Sequence, residues 1–307
     1  MTLQSVARAS QRSDVPPVSS WSRLFFCARS PARLLADVQA GRQPAAERPG
    51  LSLAHRSAHA VYASNCFEGC LTTRAQTFAL LQVPADSPLR EGSGPGSPTP
   101  LDREWAVPHA RALAAALTVT GPELTEATVL ALHRTLLGGV LASAGAYRVG
   151  EACTDGLGGR PVQYAPAASV PGALRDLLAQ ARAWLAGESP LACDRVCYVA
   201  GYVMVMFLLV HPFEDGNGRL ARILANCVLR LGGLGPLALT TTRLRKGARH
   251  YSQVLDRVQH RGANASLAGA YVLYCVADEL GPVPNNDLAP LSSSLPCVTG
   301  GSREALA

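Results

Sequence analysis

Lysine is nearly absent from this chain: Lys246 is the one lysine among 307 residues, and arginine carries the rest of the basic side chains. Aromatic residues are sparse at 6%, and no series of them interleaves with basic residues. That argues against a base-stacking nucleic-acid platform, and no nucleic-acid recognition fold is readable either. No CxxC pair occurs among the nine cysteines, which excludes the strong zinc signatures. The longest apolar run, Val196 to Val210, ends directly on His211. Fifteen residues fall short of the roughly 18–20 that a membrane span needs, so a buried helix and no membrane partner are expected. No internal repeat is present.

What remains describes a helical protein with a large core. A length of 307 residues fits one or two domains. Nearly half of the residues are hydrophobic, and Ala, Leu and Arg are abundant, which favours helix. The net charge of +6 suits nucleotides, nucleic acid or acidic protein surfaces, or is a solvated arginine-rich surface. His55, His59, Cys66 and Cys70 lie close together in sequence but fit no strong metal pattern. Buried free thiols in a reducing compartment are the expected use of the cysteines. The first 35 residues carry five arginines and one acid, Asp14. They resemble a mitochondrial transit peptide; the expectation is a disordered start on a cytoplasmic chain.

Along the chain, residues 1–50 show no sustained periodicity and are expected to be disordered, apart from a short helix near Pro31–Ala40. Residues 51–87 form an N-terminal helical lobe interrupted at Glu68-Gly69. PLREGSGPGSPTPL, residues 88–101, is a flexible linker by composition. A main body spans 102–280, and 281–307 is expected to be a disordered tail. Within the body, helices are predicted over 103–118, 123–137, 171–186, 193–210, 218–231, 245–260 and 266–279. Between the second and third of these, YRV and VQY flank a Gly-rich turn, a hairpin signal in an otherwise helical chain.

The densest chemistry lies in HPFEDGNGRLAR, residues 211–222. An anion-binding loop needs free backbone N–H groups, small residues and a helix N-terminus aimed at the charge. Gly216-Asn217-Gly218 ahead of a helix supplies all three. Arg219 and Arg222 are spaced i,i+3 on one face of that helix, and two guanidiniums suit a polyphosphate. Asp215 is placed to hold a magnesium ion that bridges phosphates. His211, neutral near its reference pKa of about 6.5, is able to take a proton from a hydroxyl. Phe213 is the apolar exception and reads as an anchor into the core.

These residues resemble the signature of the Fic family: His211, Phe213, Asp215, Gly216, Asn217, Gly218, Arg219 and Arg222 fill its eight defining positions. The resemblance extends more weakly over about 55–280, through LHRTLLGGV and GAYRV (His133, Gly145, Tyr147, Arg148) and HYSQVL (Tyr251, Leu255). It implies an all-α, Fic-type helical bundle with a small β-hairpin flap. It implies a protein adenylyltransferase, which moves AMP from ATP to a hydroxyl of a target protein. His211 would be the general base and Asp215 the Mg2+ ligand. Gly216, Asn217 and Gly218 would bind phosphates, Arg219 and Arg222 would hold the β and γ phosphates, and Tyr251 would stand on the adenine side. The target would lie along the flap by strand-like pairing. Self-AMPylation and a homodimer belong to the same set of expectations.

A second motif answers the first. In YASNCFEGC, Ser64 and Glu68 share a helix face and Gly69 stands at a C-cap position. This resembles the family's inhibitory motif, placed N-terminal to the core. Glu68 would then occupy Arg222 and bar the γ-phosphate, with Ser64 tying the helix to the core. The alternatives are an enzyme in which Glu68 positions water to remove AMP, and a catalytically silent regulatory module.

Overall fold

The structure, a computed structural model, describes residues 14–41, 52–70, 72–83, 100–156, 159–187, 191–240, 247–260 and 264–280. The helices in chain order are α1 (Pro31–Gly41), α2 (Leu53–Phe67), α3 (Arg74–Leu80), α4 (Pro100–Ala116) and α5 (Glu126–Leu137). A hairpin of β1 (Cys153–Asp155) and β2 (Pro161–Gln163) follows, then α6 (Val170–Leu185), α7 (Cys193–Val210), α8 (Asn217–Leu231), α9 (Gly247–His260) and α10 (Ala265–Leu280). The strands pair antiparallel, with Thr154 opposite Val162.

From Val196 onward helix α7 is apolar around its whole circumference, so no face of that stretch suits water. It runs through the middle of the bundle, packed against α10, α8 and α6. Tyr202, Val203 and Phe207 are fully buried. By length and composition α7 is long and apolar enough to cross a membrane, and 89% of it is buried inside the protein. Helix α9 shows the other pattern: Tyr251, Val254 and Val258 fall at i, i+3 and i+7 and form its buried stripe.

Helix α2 carries the N-terminal half of the site. Ser52 caps its start by accepting from the His55 N–H at 3.2 Å. Its end is a Schellman turn: the Cys70 N–H reaches the Asn65 carbonyl at 3.0 Å, and the Gly69 N–H reaches that of Cys66 at 3.1 Å. Gly69 has φ 86°, as that turn requires. The helix packs on α4 and reaches α8.

Three expectations are corrected. Residues 14–41 are ordered well beyond the one short helix: Trp21 and Leu24, ahead of it, are buried, and Phe26 stacks on His250 at 3.8 Å, while the helix itself, α1, packs on α10. The apolar residues ahead of α1 are too few to give a periodic signal. The first strand of the hairpin is Cys153–Asp155 and not YRV, because the Arg148 side chain is drawn inward onto backbone carbonyls while Val149 is 92% exposed. Helix α5 starts at Glu126, because Glu123 folds back to accept from the Thr120 N–H at 2.8 Å and Thr125 becomes the cap. The linker's last two residues, Pro100 and Leu101, open α4. The rest of that linker, the tail from 281, and residues 1–13 and 42–50 lie outside the described residues. Among the described residues no three His, Cys, Asp or Glu groups converge as a metal site would require.

Candidate active site

Residues His211 to Arg222 run from the end of α7 to the second turn of α8. His211 leaves α7 in a left-handed conformation (φ 48°, ψ 62°) while its N–H still bonds the Phe207 carbonyl at 2.9 Å. Its Nδ1 lies 3.4 Å from the Leu208 carbonyl. A nitrogen facing a carbonyl must carry the proton, so Nε2 is the basic nitrogen. Burial pushes the imidazole pKa down to about 4; Arg148 acts the same way, while the Leu208 carbonyl and Asp215 oppose. The ring is therefore neutral at pH 7.

The loop that follows is held from three sides. Phe213 is fully buried and stacks flat on His133 at 3.7 Å. His133 Nδ1 accepts from the Gly145 N–H at 2.8 Å, so Nε2 donates to the Asp215 carbonyl at 3.0 Å. Asn217 closes the loop internally: its amide donates to the Phe213 carbonyl at 2.8 Å and accepts from the Phe213 N–H at 3.0 Å. Its side chain is thus committed to bracing, and what it turns outward is backbone. Arg148, 5% exposed, donates to the carbonyls of His211 at 2.6 Å and Gly150 at 2.6 Å, and to that of Ala165. One guanidinium thereby joins the end of α7 to both sides of the hairpin.

The start of α8 is where charge collects. Gly216 is its N-cap at φ 78°, and a Cβ there would run into Leu137. Asp215 accepts from the Gly216 N–H at 2.6 Å and from Arg219 Nη2 at 2.9 Å, and its side chain is 66% exposed. The Arg219 guanidinium lies 4.3 Å from the centre of the Trp105 ring. A Cβ on Gly218 would collide with the Glu68 carboxylate, which lies against the first turn of α8. That is where a helix N-terminus favours an anion.

Arg222 links the two motifs. It is 3% exposed and donates from Nη2 to Glu68 Oε1 at 2.5 Å, from Nε to Ser64 Oγ at 2.8 Å, and to the Ser64 carbonyl at 3.2 Å. Burial works against its charge, yet Glu68 and Tyr251 beside it hold the pKa above its ordinary value. Tyr251, expected on the adenine side, is 1% exposed and turns its hydroxyl to Arg222 Nη1 at 3.5 Å. It supports the guanidinium from behind.

Residues 123–229 match the family model of the Fic/DOC family. That stretch is thus similar to a Fic/DOC domain. Among similar proteins are an adenylyltransferase Fic from Nematostella vectensis, 28% identical over 65% of this chain and 43% of that protein, and an adenylyltransferase fic-1 from Caenorhabditis briggsae, 33% identical over 38% of this chain and 21% of that protein. The chain spans less than half the length of these relatives. Among solved structures, a Fic family protein from Desulfovibrio desulfuricans superimposes with a TM-score of 0.63 at 21% identity, covering 85% of this chain and 75% of that one. Fic-1 from Caenorhabditis elegans superimposes with a TM-score of 0.60 at 22% identity, covering 81% of this chain and 70% of that one. The fold is thus the mostly helical Fic fold with a two-stranded antiparallel hairpin.

Three contributors to this site gave no signal in the sequence. Trp105 is one exposed-looking residue in a helix, and nothing in its spacing ties it to Arg219. His109 is buried behind both arginines with Nδ1 2.7 Å from Asn65 Oδ1. Burial, Arg222 and Arg219 together push its pKa well down, so it adds no charge to theirs. Tyr164, which reads only as a strand residue of VQY, stacks on His211 at 3.7 Å.

Proposed function

We propose that this protein is an adenylyltransferase that moves AMP from ATP to a hydroxyl side chain of a target protein, and that Glu68 holds it closed through Arg222. One observation carries the reading. The Glu68 carboxylate occupies the first turn of α8 and the buried Arg222 guanidinium, at the end of a loop whose other end is the neutral imidazole of His211. An internal anion already stands where a polyphosphate would be held, so the donor set fits phosphate.

In this reading His211 Nε2 takes the proton of the target hydroxyl as its oxygen bonds to the α-phosphorus and the bond to pyrophosphate breaks. The first backbone N–H groups of α8, at Asn217 and Gly218, bind phosphate oxygens. Arg219 and Arg222 hold the outer phosphates. Asp215, exposed beside the loop, is the residue to hold magnesium, which when bound would offset phosphate charge. The target segment lies along β1, whose three residues are exposed. Arg222 cannot hold both Glu68 and a γ-phosphate, so closure is a competition for one guanidinium.

The test is Glu68→Gly incubated with magnesium and α-labelled ATP, with mass spectrometry of the protein and of a cell lysate. A rise in AMP-bearing peptides, abolished by adding His211→Ala, is expected. Labelling no higher than in the parent would sink the closure, and labelling that survives His211→Ala would sink the base.

A further inference from the structure

The hairpin does more than present an exposed edge. Its last residues come back over the catalytic loop, and Tyr164 lays its ring flat on the His211 imidazole, with centroids 3.7 Å apart and planes 13° apart. The Tyr164 hydroxyl is 2.6 Å from the Thr154 hydroxyl on the opposite strand, an exposed contact at the far end of the ring. The next residue is tied as well: the Ala165 N–H bonds the Leu209 carbonyl at 3.1 Å, and the Ala165 carbonyl accepts from Arg148. So the backbone that carries Tyr164 and the backbone that carries His211 are joined by the same guanidinium.

His211 needs such a support. Its backbone is left-handed, a conformation that a residue with a Cβ rarely adopts, and its own hydrogen bond to Leu208 is long at 3.4 Å. A weak bond on one nitrogen does not fix the rotation of the ring. A flat aromatic face on one side does, because rotation of the imidazole would drive it into the tyrosine ring.

We infer that Tyr164 is a positioning residue: its ring holds the His211 imidazole by stacking. The role rests on the reading of His211 as the base. It makes the hairpin a part of the catalytic geometry as well as a docking edge. The ring also keeps water off one face of the imidazole, consistent with its lowered pKa. The charged groups that face the imidazole are Arg148 and Asp215, and neither is altered by a change at Tyr164.

The experiment uses the full chain with Glu68→Gly, as that protein alone and with Tyr164→Ala or Tyr164→Phe added. The first readout is the His211 ring signal in proton NMR, assigned with His211→Ala, with the buried His133 signal as the control for folding. Tyr164→Ala is expected to move the His211 signal downfield, by loss of the tyrosine ring current, and to raise its titration midpoint toward 6.5; Tyr164→Phe keeps both near the starting values. The second readout is steady-state labelling, where Tyr164→Ala is expected to lower kcat roughly ten- to a hundredfold, as loss of orientation does, with KM for ATP unchanged. Tyr164→Phe restores it. A His211 signal and midpoint that stay unmoved in Tyr164→Ala overturn the positioning role. The NMR readout needs no ATP. A Glu68→Gly protein that fails to label with Tyr164 intact therefore overturns the transferase reading by itself.

Discussion

Arg222 and Glu68 stand 154 positions apart in the chain and 2.5 Å apart in the structure. The pair is asymmetric: the arginine side chain is 3% exposed and the glutamate side chain 30%. A buried guanidinium needs a partner at all times, whereas a half-exposed carboxylate finds water when released. The contact therefore costs little to exchange for another anion and much to leave empty. Those are the properties that the proposed closure by Glu68 requires.

Ser64→Ala is expected to loosen that closure without removing it. The variant leaves Arg222 Nε without the Ser64 hydroxyl that it now meets at 2.8 Å. Loss of a hydrogen bond to a charged group costs about 1.5–3 kcal/mol. Thermal unfolding should show the loss, and labelling with ATP should rise, but less than in Glu68→Gly. Labelling equal to the parent would show that Ser64 is only a packing residue.

Arg148→Lys tests whether the flap and loop are held by a planar fork. Four nitrogen-to-carbonyl contacts, to His211, Gly150, Ala165 and Val210, require that geometry. An ammonium keeps the charge and reaches fewer of these carbonyls. The expected loss is about 2–4 kcal/mol in urea denaturation, since buried carbonyls are left unpaired. Hydrogen exchange should quicken at Ala165 more than within α7; uniform exchange would argue against a local brace.

Stability should fall as acid is added between pH 6.5 and 4. The imidazole of His211 holds its proton less well in the folded chain, near 4, than in the unfolded one, near 6.5. Between those values the unfolded state binds more protons, so folding is favoured by rising pH and the contribution is lost as pH falls. At about 1.36 kcal/mol per tenfold difference in proton affinity, this amounts to about 3 kcal/mol. His109 and His133 are shifted in the same direction by burial and add to the trend. Comparing denaturation of the parent and His211→Asn at pH 7 and pH 5 isolates the share of His211, and an equal acid loss in both would remove it.

Tyr202→Phe should be neutral or stabilising. The Tyr202 side chain is fully buried, and its hydroxyl has no hydrogen-bond partner among the described residues. Burying a polar group without a partner is unfavourable by about 1–3 kcal/mol. Phenylalanine keeps the edge-on packing against Trp184 at 4.8 Å. A drop of more than 1 kcal/mol in denaturant would reveal a partner for that hydroxyl.

The loop was legible because its chemistry is contiguous. His211, Asp215, Gly216, Asn217, Gly218, Arg219 and Arg222 sit within twelve residues, and their order alone places an imidazole, a carboxylate and a helix N-terminus together. The helix α7 was legible for a similar reason, since an apolar run has one place to go. Tyr164, Trp105 and His109 gave no such signal. Each is a single residue whose partner lies far along the chain, and spacing carries no information about that partner. The stretch ahead of α1 failed in the same way: Trp21 and Leu24 are isolated apolar residues, and Trp21 is buried against Tyr198, far along the chain, whereas Leu34 and Val38 lie in the helix that the sequence did signal.

By itself the sequence determined the local chemistry: which residues form an anion-binding turn, which helix is apolar on every side from its second turn on, and which short motif ends in a glycine cap. The tertiary structure decided the assignments between segments. It put Glu68 on Arg222, committed the Asn217 amide to Phe213, drew Arg148 inward and set Tyr164 on His211. Local patterns follow from backbone geometry within a few residues, whereas a buried charge or ring chooses its partner from whatever the packed bundle brings within a few ångströms.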